Sequence, residues 1–306
     1  GKSPDENAYL KFYVPRENIK NGNAVIAVKN AKGRFMWSWH LWFAKPDALE
    51  TVKCNNNQNK VYKFAKQPLG FAYREWEEAT FNKQRVVLIK VEQTFGNKGD
   101  KQYAIFYITQ KPGQSVKEFS STLYQFGRKD AFTNINNIAE GGYYINDYID
   151  MTTKECIEKP NCFILAGKGR TESYCNLWSM NNLGGTYDET VVKTIFDPCP
   201  VGFHVPTKGA LECFTKHESD SGLMKASTWD NGWNFRKNGN PHVTMYLPAV
   251  GYLSPTNGYM DYRSTCYWSS NPNSAICFAM LFNSGTVSSL TTNIRHYGLS
   301  VLPVAE

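Results

Sequence analysis

Ile195–Thr207 reads IFDPCPVGFHVPT, and this stretch constrains the fold more than any other. Pro198 and Pro200 fix φ twice within three residues and remove two backbone donors, so the chain there can be neither helix nor central strand. Asp197 stands where a carboxylate caps a turn by accepting from backbone N–H groups. Cys199 could be a reactive thiol, but the stretch supplies neither a base nor a positive neighbour to lower its pKa. A rigid structural corner, with Cys199 filling space or pairing with another cysteine, accounts for the residues better. Just beyond it, Pro206-Thr207 caps a short helix running to about Lys216, with Leu211 and Phe214 on its inner side.

Outward from this corner the pattern is one of short strands. Residues 8–14 (AYLKFYV) and 24–28 (AVIAV) read as strands, with a turn at Asn30–Gly33. In Arg34–Phe43 (RFMWSWHLWF), Trp37, Trp39 and Leu41 fall on one face and His40 and Trp42 on the other, which predicts cover on both faces. Residues 81–95 and 102–110 alternate as a β-hairpin or small sandwich element, joined through Gly96–Gly99. Ser115-Val-Lys-Glu118 is a capping box followed by Phe119 and Leu123 at helical spacing and by Gly127, so one short helix is expected there. From 133 to 194 the chain is rich in Asn, Gly and Tyr, with a helical reading only around 145–150. Val243, Met245 and Leu247 mark a strand, as do Ile276, Phe278, Met280 and Phe282. The latter turns at Asn283-Ser-Gly285 into a strand near Val287, and Leu299, Val301 and Pro303 mark a last one.

Ile195–Thr207 is also the first of several blocks in a fixed order: Tyr246–Ser254 (YLPAVGYLS), Thr265–Asn271 (TCYWSSN) and Gly298–Val304 (GLSVLPV), preceded by Tyr124–Phe132 (YQFGRKDAF). Together they resemble the Fibrobacter succinogenes major paralogous domain of Bacteroidetes surface proteins, a family related to the C-type-lectin-like superfamily. His204 departs from the Arg or Lys more usual in its block. The stretch GNAVIAVKNAKGRFMWSWHLW is similar to the opening of this module in Bacteroides fimbrillin-type, pilus-associated adhesins. The resemblance implies an α+β fold of mostly short antiparallel strands. Residues 1–115 would form a β-rich N-terminal part and 116–306 the C-type-lectin-like module. Strands over 23–68 belong to either, and 80–111 form an insertion. The resemblance further implies a non-catalytic cell-surface or fimbrial-tip adhesin, attached to the outer membrane or a fimbrium. Its partners would be a glycan, a host or bacterial surface protein and fimbrial subunits.

Composition agrees with a folded, loop-rich β protein: 42% hydrophobic residues, 18 Tyr, 18 Phe, 8 Trp and 23 Gly in 306 residues. The net charge of +7 resides in residues 1–119, where 20 Lys and Arg face 11 Asp and Glu; the remainder holds 14 against 16. Lys53, Lys60, Lys63 and Lys66 are spaced out rather than clustered, which argues against nucleic acid and for lysines guarding strand edges. No run approaches the ~18 apolar residues of a membrane span. Gly1–Pro4 begins without a signal peptide, leaving room upstream for an export signal, a lipidated cysteine or further domains. The eight cysteines contain no C-x-x-C pair, so neither a zinc ribbon nor a thioredoxin-type site is offered; disulfides and buried thiols both remain open.

Among candidate sites, Thr228–Phe235 (TWDNGWNF) stands out. Trp229 and Trp233 beside Asp230, Asn231 and Asn234 offer the flat aromatic faces and polar groups that sugar C–H faces and hydroxyls need. The alternative makes both tryptophans core anchors of the loop. The order Trp-Asp-Asn differs from the Trp-Asn-Asp calcium ligands of sugar-binding C-type lectins, so calcium-dependent binding does not carry over. Cys266 and Cys277 loosely resemble the cysteine pair of formylglycine-generating oxidases, but the glycine- and arginine-rich surroundings are missing; a core or disulfide role leads. The five histidines are dispersed and no phosphate loop is present, so no catalytic residue, metal site or cofactor is expected. Asp197, Cys199 and Trp268 are assigned structural roles.

Overall fold

The computed structural model describes residues 10–79, 85–92, 102–110, 114–133, 138, 142–146, 157–166, 177–182, 190–218, 220–273 and 276–306. Strands account for 50% and helix for 5% of the described residues. The expected short antiparallel sheets are present, and mostly β describes them more closely than α+β. Contacts divide the chain into two units, Gly1–Ala72 with Ser120–Glu306, and Tyr73–Phe119.

In the larger unit, one sheet collects distant parts of the chain. Thr51–Asn55 pairs with Val61–Ala65, which pairs with Val304–Ala305, which pairs with Phe203–His204. A second sheet runs Phe214–Thr215, Met224–Trp229, Gly232–Lys237, Asn240–Pro248, and a third joins Thr265–Asn273, Ile276–Phe282 and Val287–Ile294. Met260–Asp261, Tyr252–Leu253, Gly298–Leu299 and Tyr124–Gln125 make a fourth, and Gly22–Lys29 with Phe35–Phe43 a two-stranded fifth. The main core is aromatic. Phe214 meets Phe64 and Phe235 edge-on at 5.0 and 5.1 Å, and Tyr267 stacks on Phe282 at 5.7 Å, geometries that suit ring quadrupoles. Beside it, Phe126 lies between Trp178 and Trp268. Both indoles are fully buried, and each N–H finds a carbonyl: Trp268 donates to Tyr124 O at 2.7 Å and Trp178 to Arg128 O at 2.9 Å. Without those acceptors, burial would leave two costly orphan donors.

The charged residues of YQFGRKDAF are inside. The Arg128 guanidinium donates to Cys162 O at 2.6 Å and to Lys159 O, and pairs with Asp130 at 3.4 Å; Asp130 also accepts from Ser38 at 2.8 Å. A buried pair of this kind persists because carbonyls and a hydroxyl satisfy what the pair alone does not.

Several sequence expectations are corrected. Residues 10–14 form no strand, and Leu10, Phe12 and Tyr13 are exposed; alternation alone makes no strand where no neighbour takes up the backbone bonds. Residues 8–9 lie outside the described residues. Gln114–Ser120 is a strand paired with Ala72–Ala79, not a helix. An isolated helix shorter than about 12 residues is marginal, so a waiting strand decides the outcome; Gly127, at φ +77°, serves a turn. Tyr144–Asn146 is a strand parallel to Cys162–Ile164, and 147–150 fall outside the described residues. The helix after Thr207 starts as expected, Thr207 Oγ1 accepting from Ala210 N, but it covers only Lys208–Leu211 before Phe214–Thr215 turns to strand. The last strand divides into Gly298–Leu299 and Val304–Ala305, in different sheets.

In the smaller unit, Arg85–Glu92 and Tyr103–Gln110 pair antiparallel through eight consecutive positions without a bulge. The joining residues 96–99 are outside the described residues.

Candidate functional site

The Trp229 region is a hairpin tip. Trp229 and Trp233 are cross-strand partners, their rings edge-on at 5.3 Å. Asn231 takes φ +48°, and Gly232 is held so close to the Leu247 carbonyl that a Cβ would collide with it. The Asp230 carbonyl accepts from the Tyr246 hydroxyl at 2.8 Å and the Asn231 carbonyl from Ala249 N at 2.9 Å, which braces the turn. Trp233 is buried and donates to Asn283 O at 2.9 Å, so it anchors the core. Trp229 is 36% exposed, Asp230 and Asn231 are exposed, and Asn234 is half-buried. Of the five candidates, three present side chains to solvent together.

A concavity lies elsewhere. Trp37 and Trp39 of the Phe35–Phe43 strand form one wall of a groove of about 510 Å³, and Thr194, Ile195 and Val201 line it with Glu306. Strand alternation explains the orientation. Ser38, His40 and Trp42 take the inner face: Ser38 bonds Asp130, His40 bonds Asn23 and Tyr124, and Trp42 donates to Phe71 O at 3.0 Å. Trp37 and Trp39 are thereby turned outward, Trp37 tilted against Phe196 at 5.7 Å with the Lys129 ammonium over its ring at 4.6 Å. Full cover on both faces, expected from the sequence, is corrected here, since Trp39 is 38% exposed.

The opposite wall is the proline corner. Asp197 is buried and accepts from Cys199 N at 2.8 Å and Val205 N at 2.9 Å. The Lys193 ammonium donates to the carbonyls of Cys199, Pro200 and Phe203. Burial pushes the Asp197 carboxyl above its usual range, against its two N–H donors, and raises the Cys199 thiol well above its own. Lys193 is thus spent on the corner and Cys199 is a poor nucleophile. Ile195 and Val201, 76% and 98% exposed, project from the corner toward the groove. Two indoles, aliphatic side chains and one carboxylate can stack on, enclose and accept hydrogen bonds from a ligand.

The groove residues went unmarked in the sequence. The available signal was the polar Ser38-x-His40 pair alternating with Trp37 and Trp39, which points the indoles outward only once Asp130 and Tyr124 are known to lie opposite the polar residues.

The six described cysteines are all buried and none is in a disulfide; Cys156 and Cys175 lie outside the described residues. Cys54 and Cys213 are neighbours in the main core, and burial together with the adjacent Cys54 raises the Cys213 thiol. Cys266 stands opposite Leu281 and Cys277 opposite Pro272, an offset of four residues or about 13 Å along the strand. That is beyond the ~7 Å reach of a disulfide and too far for two thiolates to share one metal ion. Among the described residues no three His, Cys, Asp or Glu side chains gather, and no helix is long and apolar enough to cross a membrane. Comparison with protein-family models, with curated proteins and with solved structures returns no match in any of the three.

Proposed function

We propose that this chain is a non-catalytic adhesive module, exported and displayed on the cell surface or at a fimbrial tip, that holds a glycan or a surface protein between Trp37 and Trp39 and the proline corner. The observation that carries the reading is the groove itself: indole faces turned outward beside two almost fully exposed aliphatic side chains and a carboxylate. Concave aromatic surfaces with a few polar groups are the general form of ligand sites. The ordered blocks resembling the Fibrobacter succinogenes major paralogous domain support it, as does a corner whose lysine and thiol are both committed to structure. The Trp229 tip is a second, smaller contact surface of the same chemistry.

Glycan-array and cell-surface retention of the wild type, Trp39→Ala and Trp229→Ala test this. Losing one stacked indole costs on the order of 1.4 kcal/mol, a tenfold loss. Trp39→Ala is expected to lose about tenfold or more, and Trp229→Ala less. Background retention of the wild type, or an unaffected Trp39→Ala, refutes the groove. A structural role in a fimbrium or lipoprotein assembly is the second reading, favoured by the exposed apolar side chains of the Arg85–Glu92 and Tyr103–Gln110 strands; immunogold labelling along fibres rather than at their ends would support it. An oxidase of the formylglycine-generating type finds no support in the separated Cys266 and Cys277.

A further inference from the structure

Two of the buried thiols stand against each other. On the paired strands Thr51–Asn55 and Val61–Ala65, alternation turns Val52, Cys54, Tyr62 and Phe64 inward and Lys53 and Lys63 outward. They face the turn that leads from the Lys208–Leu211 helix into Phe214–Thr215, and Cys213 sits in that turn. Phe64 meets Phe214 there at 5.0 Å, and the Cys54 and Cys213 side chains hydrogen-bond each other. Hydrogen bonds fix both segments on either side of the pair. Asn55 N donates to Gly222 O at 3.0 Å and Asn56 Nδ2 to Gly209 O at 3.1 Å, while Cys213 N donates to Ala210 O at 3.1 Å and the Cys213 carbonyl accepts from Met224 N at 2.8 Å. Gly222 lies so near Asn55 that a Cβ would collide with it. Other described cysteines are engaged differently: Cys162 bonds Tyr144, Cys199 bonds Asp197, and Cys266 and Cys277 are offset along their strands.

Thiols already in contact need only side-chain rotation to reach the ~2.0 Å of a sulfur–sulfur bond. We propose that Cys54 and Cys213 form a disulfide, closed as the chain folds in an oxidising compartment, which staples the 51–65 strand pair to the 208–215 segment across the aromatic core. The oxidant is a disulfide of the glutathione or dithiol-oxidase class. One cysteine attacks it as the thiolate and releases one thiol, and the other cysteine then displaces the remaining half. One S–S bond forms and two S–H bonds are lost, so two electrons and two protons leave with the oxidant as its two thiols. Timing follows from burial. Both residues are enclosed in the folded chain, and the low-dielectric core disfavours the Cys213 thiolate, which is the reactive species. The bond therefore closes before the core seals, and afterwards soluble thiols do not reach it. The compartment rests on the exported reading given above; the pairing itself depends neither on export nor on the groove.

Refolding the full chain from guanidinium with reduced and oxidised glutathione, then alkylating under denaturing conditions and mapping peptides without reduction, tests the pairing separately from export and adhesion. The expected result is a cross-linked peptide pair carrying Cys54 and Cys213 that separates on reduction. Closing a loop of about 160 residues should raise the melting temperature by about 5–10 °C over the same chain refolded in dithiothreitol. Cys54→Ala and Cys213→Ala should each abolish both the cross-link and that difference, melting alike with and without oxidant. Full alkylation of both cysteines after oxidative refolding overturns the proposal, as does either cysteine mapping to a different partner. A cross-linked wild type that melts no higher than the reduced chain also overturns it, because the bond would then staple nothing.

Discussion

Acidifying the protein from pH 7.5 to 5 should destabilise it through His40. Asn23 Nδ2 donates to Gly70 O at 2.6 Å, which turns Asn23 Oδ1 toward His40 Nε2 at 2.9 Å. His40 Nε2 must therefore carry the proton, leaving Nδ1 to accept from the Tyr124 hydroxyl at 2.9 Å. This arrangement suits a neutral ring. A second proton would put Nδ1–H against a buried phenol that already points at it. Burial lowers the His40 pKa from 6.5 to about 4. Because the folded value lies below the unfolded one, the unfolded chain binds the extra proton between pH 6.5 and 4, and stability falls as pH is lowered through that window. The loss is about 2 kcal/mol by pH 5 and about 3 kcal/mol when complete. Guanidinium unfolding of the wild type and His40→Gln, followed by tryptophan fluorescence, isolates the effect from other titrating groups. The stability difference between them should shrink by about 2 kcal/mol from pH 7.5 to 5. A difference constant within roughly 0.5 kcal/mol would show that the ring titrates near its ordinary value and that the network does not enforce neutrality.

Three further outcomes can be measured by thermal or chemical denaturation. Gly70→Ala puts a Cβ into Thr122 at a φ of +75°, displaces the acceptor of Asn23 and should cost about 3 kcal/mol or more; a neutral effect would mean the loop shifts freely. Asp197→Ala strands the N–H groups of Cys199 and Val205 and should cost roughly 2–5 kcal/mol, whereas a loss below about 1 kcal/mol would indicate that water replaces the carboxylate. Phe64→Ala removes a fully buried ring in contact with Phe214 and should cost about 3–5 kcal/mol.

What the sequence disclosed depended on where each segment's partner lay. The 85–110 hairpin and the 276–294 strands were legible because their partners are neighbours in the chain and alternation in each half matches the other. Thr207 was legible as a cap because the hydrogen bond to Ala210 is local. Ser115–Glu118 carried an equally good capping box, yet a strand from Ala72–Ala79, some forty residues away, took the backbone instead. Ile195–Thr207 showed its rigidity through two prolines, but the Lys193 side chain that closes it carries no local signature. The groove was invisible for a similar reason: whether Trp39 or Ser38 faces inward depends on Asp130, about ninety residues downstream. Trp233 and Trp229 were indistinguishable in the sequence, and only the Asn283 carbonyl assigns one to the interior.

The pairing of Val304 with Phe64 joins positions roughly 240 residues apart, and that span governs how the molecule comes into being. A ribosome delivers Phe64 long before Val304, so the sheet holding the aromatic interior cannot close until Val304 has been made. Until then the nascent strands expose the ring clusters they will later enclose, which is the condition under which chains aggregate or are held by chaperones. If the protein is exported, that delay is an advantage, because a polypeptide unable to finish folding early remains threadable through a translocation pore.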